Sequence, residues 1–485
     1  MKKTTNSIAT GLFWKLFERF GVQGAQFVLQ LVLARMLSPE LYGVLSLMII
    51  FTTLADVFIQ KGFNTALIQN KEVTEEDYSS VFWVSTGIAV GLYLILFFAA
   101  PLIAAFYEMP EIVSPFRVLA LMLLPGAFNS VQLAKVSRQM DFKKVFYSNI
   151  GGVLISGVAG IVIAYAGGGL WALVAQKLIN TVTVCLVMWF TVKWRPKILM
   201  NITRIKVLFS YGWKLLVSSL LDTLYQDIQS LIIGKKYDSG TLGYHDRGKQ
   251  FPQFIIGAVN GAVQSVLLPA MSAEQDNKTK VKSLMRNSIM LSSYIVFPIM
   301  AGLAGVATSL VQLLLTDKWL ACVPYLQIYC FNCAFYPVHT SNLQAINAMG
   351  RSDIFLKLEI IKKLLGFVML VIAVFCFDSP IAIAMTGIFS AFTSSFINAY
   401  PSRNLVGYAY WEQMKDILPS MVASLMMFGG VLLVGLLQLN ALLTLVLQVI
   451  VGVAFYVALS ALIRIEPYRL LLKALRKFLS DRKYK

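Results

Sequence analysis

Lys15, Arg19, Gln23, Gln26 and Gln30 follow one another at intervals of 4, 4, 3 and 4 through an otherwise apolar stretch. Lys214, Ser218, Asp222, Tyr225 and Gln229 repeat those intervals further on. Such spacing lines one face of a helix. That face suits lipid poorly, since a charge at mid-bilayer costs at least roughly 2.5–3.5 kcal/mol on insertion scales. It must meet either neighbouring helices, through hydrogen bonds that hold a bundle together, or a water-filled cavity. For the Gln and Ser residues the two readings balance. For Lys15, Arg19 and Asp222, on matching faces of the two sets, a shared cavity is the expectation. Gln176, Lys177 and Asn180 sit mid-way along another apolar stretch, and His245, Asp246, Arg247 and Lys249 open a third.

A cavity lined by Lys15, Arg19, Lys177, Lys214, Arg247 and Lys249, with Gln23, Gln26 and Asn180 beside them, is cationic and suits an anionic head group such as a diphosphate. For Arg247 and Lys249 the competing account is snorkelling at the outer rim. Asp56, Asp222 and Asp227 are the carboxylates able to take a coupling cation or proton. No catalytic constellation appears: there is no phosphate-binding Walker motif, no H-E-x-x-H and no G-x-S-x-G. The chain has two histidines, His245 and His339, and five cysteines, all within apolar runs. Cys330 and Cys333 lie in an apolar, aromatic setting unlike that of a redox or zinc pair. No cofactor and no metal site is expected beyond a coupling H+ or Na+, and the reading is a secondary transporter and not an enzyme.

The elements that position these residues follow from composition. Apolar residues make up 58% of the 485-residue chain and charged residues only 14%, where a soluble protein carries about a quarter charged. Apolar stretches of spanning length fall at 9–36, 40–66, 79–106, 113–137, 143–166, 169–192, 208–234, 242–270, 285–315, 320–348, 354–377, 380–402, 414–436 and 441–464. The expected fold is an all-α membrane protein of about fourteen transmembrane helices. The net charge of +18 could suggest nucleic acid, but no basic soluble face or motif accompanies it. Instead Lys and Arg gather on alternate connections, as the positive-inside rule predicts for fourteen helices with both termini cytoplasmic. The acidic connection 71–77 is the one dissenter. The first stretch, with Lys15, Glu18 and Arg19 inside it and no small-residue cleavage pattern, reads as a retained membrane helix and not a signal peptide.

A shift of about 200 residues lays one half of the chain over the other. Residues 34–43 (ARMLSPELYG) fall on 234–243 (GKKYDSGTLG), and Gln60 and Asn64 fall on Asn260 and Gln264. Six helices separate the repeats, so they share one orientation, a parallel pseudo-twofold layout known among transporters. The expected organisation is an N-lobe of six helices over 1–192, a cytoplasmic linker 193–207, a C-lobe of six helices over 208–404, two further helices over 405–466, and a basic amphipathic tail 467–485 on the anionic leaflet.

The stretch Leu33–Gly43 after a Phe13-Trp14 helix, Leu242-Gly243-Tyr244 followed by Arg247–Pro252, Leu267–Ser272 before a charged loop, and Phe297-Pro298 with Gly302-Leu303 together resemble the polysaccharide flippases. These are the O-antigen and exopolysaccharide translocases of the multidrug/oligosaccharidyl-lipid/polysaccharide exporter superfamily, and the likeness is to the colanic-acid-exporter-like branch. The resemblance covers essentially the whole chain. It implies binding of an undecaprenyl-diphosphate-linked oligosaccharide at the inner leaflet of the bacterial cytoplasmic membrane. Two six-helix lobes then rock to expose it outward, driven by a proton or sodium gradient. It also implies a monomer bathed in membrane lipid, with a polysaccharide polymerase and chain-length machinery as partners and no nucleic acid. Arg19 and Lys177 are the basic residues the resemblance directs attention to. The rival readings are a lipid II flippase of the same superfamily, a multidrug/cation antiporter, and a non-transporting scaffold of a polysaccharide synthesis complex.

Overall fold

The computed structural model describes residues 21–61, 63–69, 73–139, 141–437 and 439–473, and all regular structure among them is helical. Lys15, Arg19 and most of the basic tail lie outside the described residues, as does the side chain of Lys214.

The first helices are α1 (Gln23–Met36), α2 (Pro39–Gln60), α3 (Phe63–Gln69) and α4 (Glu75–Phe106). Pro39 opens α2 behind Ser38, where its missing N–H costs nothing. Thr74 and Asp77 form a reciprocal capping box on α4, Thr74 Oγ1 accepting from Asp77 N (3.2 Å) and Asp77 Oδ2 from Thr74 N (2.9 Å). A 3₁₀ turn at Pro110–Ile112 leads into α5 (Val113–Ala120) and α6 (Leu123–Gln139). Then come α7 (Phe142–Tyr165), α8 (Leu170–Thr191), α9 (Ile202–Lys236) and α10 (Ser239–Ser272). Asp238 caps α10, accepting from Thr241 N and Thr241 Oγ1, both at 2.8 Å.

The remaining helices are α11 (Lys278–Gly305), α12 (Ala307–Leu315), α13 (Val323–Ala334) after a 3₁₀ turn at Asp317–Cys322, α14 (Tyr336–Ala348) and α15 (Ser352–Cys376). They are followed by α16 (Pro380–Ala399), α17 (Ser402–Val406), α18 (Tyr410–Gly435) and α19 (Ala441–Leu462).

Ten helical runs among the described residues are long and apolar enough to cross a membrane, and the chain is a multi-pass membrane protein. Helices also lie over the other four apolar stretches, and the sequence explains why these fall short. Described α1 begins only at Gln23; α9 carries Asp222, Asp227, Lys235 and Lys236; α13 and α14 break at Phe335 ahead of Pro337; and α15 holds Glu359, Lys362 and Lys363. Two of the four, α9 and α15, fall short through their ionisable groups, and the other two through the length of the described helices.

The described residues fall into two compact units, one running to Gly243 and the other from Tyr244. In the first, α7 closes on α8 through small residues. A Cβ on Gly152 would stand 2.7 Å from both Asn180 Oδ1 and Val184 Cγ2, and one on Gly160 would stand 3.0 Å from Gln176 Cβ. Close backbone approach replaces the hydrophobic drive that membrane helices lack between themselves. Helix α1 packs on the same α7, Leu29 filling the space beside Gly157.

The segment between α8 and α9 is fastened to the start of α4. Arg204 grips Asp77 with two bonds (2.8 and 2.7 Å), and Trp194 Nε1 donates to Glu75 Oε2 at 2.6 Å. The backbone N–H groups of Lys197 and Asn201 reach Ser79 Oγ (3.1 Å) and Ser80 Oγ (3.0 Å).

The first turns of α2 and α10 cross at two glycines. A Cβ on Gly43 would lie 1.7 Å from Ser239 O, and one on Gly243 would lie 2.1 Å from Pro39 O. The contact is reciprocal, each glycine receiving the opening carbonyl of the other helix.

In the second unit α11 packs along α18, where Gly305 admits Val431. Arg286 on α11 holds Asp416 through two bonds of 2.9 Å and Glu466 through bonds of 3.2 and 2.9 Å. Gln448 Nε2 donates to Val431 O (3.2 Å), tying α19 to α18, and Tyr456 OH donates to Tyr294 O (2.9 Å), tying α19 to α11.

Candidate functional site

In the first unit the candidate residues sit on several helices. Asp56 is half-buried on α2, with Oδ1 beside Gly126 of α6. One turn on, Gln60 Nε2 reaches Gly126 O at 3.5 Å, and Gln60 Oε1 accepts from Asn64 Nδ2 at 3.3 Å. The three residues form a polar ladder across the break between α2 and α3, facing α6. Lys177 and Asn180 are half-buried on α8, Gln26 is half-buried on α1, and Gln23 is exposed. On α9 Asp222 is exposed and accepts from Gln226 Nε2 at 2.9 Å, while Asp227 is half-buried.

The same unit holds further buried amides, two of which, Asn129 and Gln132, the sequence reading did not single out. Asn129 and Gln132 of α6 are a turn apart. Gln132 is fully buried with neither amide atom hydrogen-bonded, and Asn129 Oδ1, Asn64 Oδ1 and Asn180 Oδ1 are also buried without a partner among the described residues. A cavity of about 270 Å³ opens between α6, α7 and α8, lined by Asn129, Ser148, Asn149, Leu133, Val184 and Met188 among others. Val184, one turn from Asn180, flanks the same Gly152 that Asn180 Oδ1 does. A buried polar atom left without a hydrogen bond costs about 1–3 kcal/mol. Carboxamides offer both donors and acceptors, so Asn129 and Asn149, with Ser148, give an otherwise apolar lining a polar edge that suits hydroxyl-bearing guests or water.

The second unit treats its polar residues differently. Asn342 donates to Val338 O and Gln413 Oε1, both at 2.8 Å, and accepts from Ser402 Oγ at 2.7 Å. Asn260, which the repeat sets opposite Gln60, accepts from Thr340 Oγ1 at 2.6 Å. Apart from the Asn342–Val338 bond, which lies within α14, these are helix-to-helix bonds. Arg247 is buried with its guanidinium 5.1 Å from the Trp319 ring centre, and its Nη1 donates to Gln250 Oε1 at 2.7 Å. Beside it His245 is fully buried, Nδ1 lying 2.8 Å from Asp246 Oδ1 and Nε2 2.7 Å from Tyr329 OH. Lys249 is half-buried. The structure therefore brings Asn180 toward an amide-lined cavity in the first unit, sets Asp56 in a separate polar seam, and packs Arg247 under an aromatic ring in the second unit. The missed amides left little signal, since a lone Asn or Gln in an apolar run reads alike whether bonded or not.

The cysteines make no pair. Cys330 and Cys333 are buried free thiols, as are Cys185 and Cys322, while Cys376 is exposed. No group of three or more His, Cys, Asp or Glu that could hold a metal occurs among the described residues.

Comparison with known proteins places this architecture. The chain is 24% identical to the teichuronic acid biosynthesis protein TuaB of Bacillus subtilis (strain 168), over 73% of this chain and 74% of that protein. It is 22% identical to the lipopolysaccharide biosynthesis protein WzxC of Escherichia coli (strain K12), over 73% of each. Its fold is similar to that of the lipid II flippase MurJ in an inward closed conformation, with a TM-score of 0.76 at 16% identity, covering 96% of this chain and all of that one. The sequence pattern of one family, described as polysaccharide biosynthesis protein, matches residues 32–324, more than half of the chain. The chain therefore belongs to the polysaccharide biosynthesis protein family.

Proposed function

We propose that this protein is a flippase that carries an undecaprenyl-diphosphate-linked oligosaccharide from the inner to the outer leaflet of the bacterial cytoplasmic membrane by alternating access. The observation that carries the reading is the set of buried carboxamide atoms in the first unit without a partner among the described residues, at Asn129, Gln132 and Asn180, with Asn64 Oδ1 in the Asp56 seam. A scaffold gains nothing from such atoms, which weaken a helix bundle unless something polar visits them. An organic cation would call for carboxylates there. Sugar hydroxyls suit amides, and the diphosphate suits Lys177 together with Arg19 and Lys15. Family membership and the lipid-linked cargo in the name of the MurJ structure support the same class of substrate. The full arrangement is fourteen spans in two six-helix lobes plus α18 and α19, a monomer with both termini cytoplasmic by the positive-inside rule. Asp56, in its seam with Gln60 and Asn64, is the foremost candidate for proton or sodium coupling, with Asp222 and Asp227 on α9 as alternates.

The test is transfer of a labelled undecaprenyl-diphosphate oligosaccharide across liposomes containing only this protein, with and without an imposed pH or sodium gradient. Gradient-stimulated transfer is expected, lost in Lys177→Ala and uncoupled from the gradient in Asp56→Asn. Transfer of lipid II in preference to the oligosaccharide carrier would assign the peptidoglycan precursor instead, a reading the MurJ-like fold keeps in view. No transfer of either by folded protein would sink the flippase reading.

A further inference from the structure

A second cavity, of about 590 Å³, opens on the second unit where α11, α15 and α17 begin, lined by Lys278, Arg351, Tyr400, Asn404 and the apolar Met349, Ile354, Pro401 and Leu405. Local sequence fixes its walls. Gly350, with φ +71°, ends α14 in the left-handed conformation that favours glycine. The N–H of Arg351 then bonds back to Ile346 O at 3.1 Å, which sets the Arg351 backbone at the mouth of the cavity. The Arg351 side chain grips Asp353 through Nε and Nη2, both at 2.9 Å. A guanidinium carries five N–H groups, so donors remain for another acceptor. Lys278 is exposed on the opposite wall, Arg403 precedes Asn404, and Lys357 stands one turn from Ile354. Asp353 is already held by Arg351, and Glu274 and Glu412, near the start of α11, are held by Lys280 and Lys282.

The level of this groove relative to lipid can be read from its neighbours. Tyr400 is 67% exposed and Trp411 71% exposed. They are joined by an aromatic chain through Phe396 and Tyr410, with ring centres 5.2–6.2 Å apart. Exposed Tyr and Trp collect where hydrocarbon meets water, so an apolar floor beneath a rim of cations lies at head-group depth. Basic pockets between helices at that depth are suited to anionic lipid heads. We propose that the Lys278–Arg351 groove is a binding site for the phosphate of an anionic membrane lipid, separate from the amide-lined cavity of the first unit. The choice of a lipid over a free phosphate ion rests on the apolar floor, which a free ion leaves uncovered.

Asp353 supplies a test in both directions. The Arg351 guanidinium holds the Asp353 carboxyl down at about 2, so at neutral pH this carboxylate competes with any phosphate for Arg351. Full-length protein reconstituted in phosphatidylcholine vesicles containing phosphatidylglycerol is extracted, and retained lipid is counted by native mass spectrometry. Inorganic phosphate is offered in a parallel arm. Lys278→Gln with Arg351→Gln should lower phosphatidylglycerol retention roughly tenfold or more, and Asp353→Asn should raise it about fivefold. Retention of inorganic phosphate but not of the lipid, sensitive to the same variants, would overturn the lipid and leave a phosphate site. Retention of both unchanged in the double variant and in Asp353→Asn would overturn the site itself. Asp353→Asn keeps the question open to measurement should the double variant fail to fold.

Discussion

Gln132 and Asn342 are both fully buried amides in an apolar bundle, yet one makes no side-chain hydrogen bond and the other is bonded to Val338, Gln413 and Ser402. The difference separates helix glue from an amide that no neighbour among the described residues satisfies. Replacing Asn342 by Leu leaves Gln413 and Ser402 without their partner and should cost about 2–3 kcal/mol. Replacing Gln132 by Met removes two unsatisfied atoms at similar volume and should raise stability by about 1 kcal/mol while lowering oligosaccharide transfer. Thermal midpoints in detergent, measured beside liposome transfer, check the pair; a stability loss at Gln132→Met would make it a bonded structural residue. None of this was legible from spacing. Helical periodicity identified which residues share a face, as for Gln60 and Asn64, but it carries no information on whether a facing helix supplies a partner. Arg247 shows the same limit: its position at the start of an apolar stretch suited both a cavity and a rim, and only the Trp319 ring beside it distinguishes packing from either.

At the scale of elements, the most consequential contact is the grip of Arg204 on Asp77, which ties the start of α9 to the capping box of α4. Asp77 is fully buried and also receives the Thr74 N–H. Asp77→Asn should therefore lose both the ion pair and part of the cap, lowering stability by about 3 kcal/mol. Arg204→Lys should recover little, because an ammonium cannot make the paired bond. Limited proteolysis between Val192 and Asn201 reads the release directly: equal cleavage of native and Asp77→Asn protein would show the tether to be idle. Hydropathy and charge had marked residues 193–207 as a basic connection. They could not show that Trp194, Lys197 and Asn201 bind the helix start more than a hundred residues earlier, since those bonds use one indole N–H to a carboxylate and two backbone N–H groups to single hydroxyls, without a pattern of their own. The break at 121–122 was hidden within a run of continuous apolarity, whereas Pro39, Pro337 and Pro380 stand at helix starts.

On the scale of the whole molecule, helical class and membrane character were readable, because each is summed over many residues. The repeat aligned Gly43 with Gly243 as equivalent positions; that the two equivalents meet is a fact of packing alone. Gly43→Ala would drive a methyl to within 1.7 Å of Ser239 O, which no rotamer relieves. It should cost several-fold in folded protein recovered from the membrane, and Gly87→Ala, where nothing lies within 4 Å, should cost nothing. Equal recovery of the two variants would show the crossing to be loose. The same crossing also bears on biosynthesis. Pro39 and Gly43 leave the ribosome about 200 residues before Gly243, and closing a loop of that length is slow because its entropy must be lost before the contact is gained. Until α10 is inserted, the first turn of α2 has no counterpart, and the helices made so far must wait in the bilayer unfinished. The glycine pair thus sets a late checkpoint in translation for the first unit, reached only after the residues of the Arg204–Asp77 tether have been made.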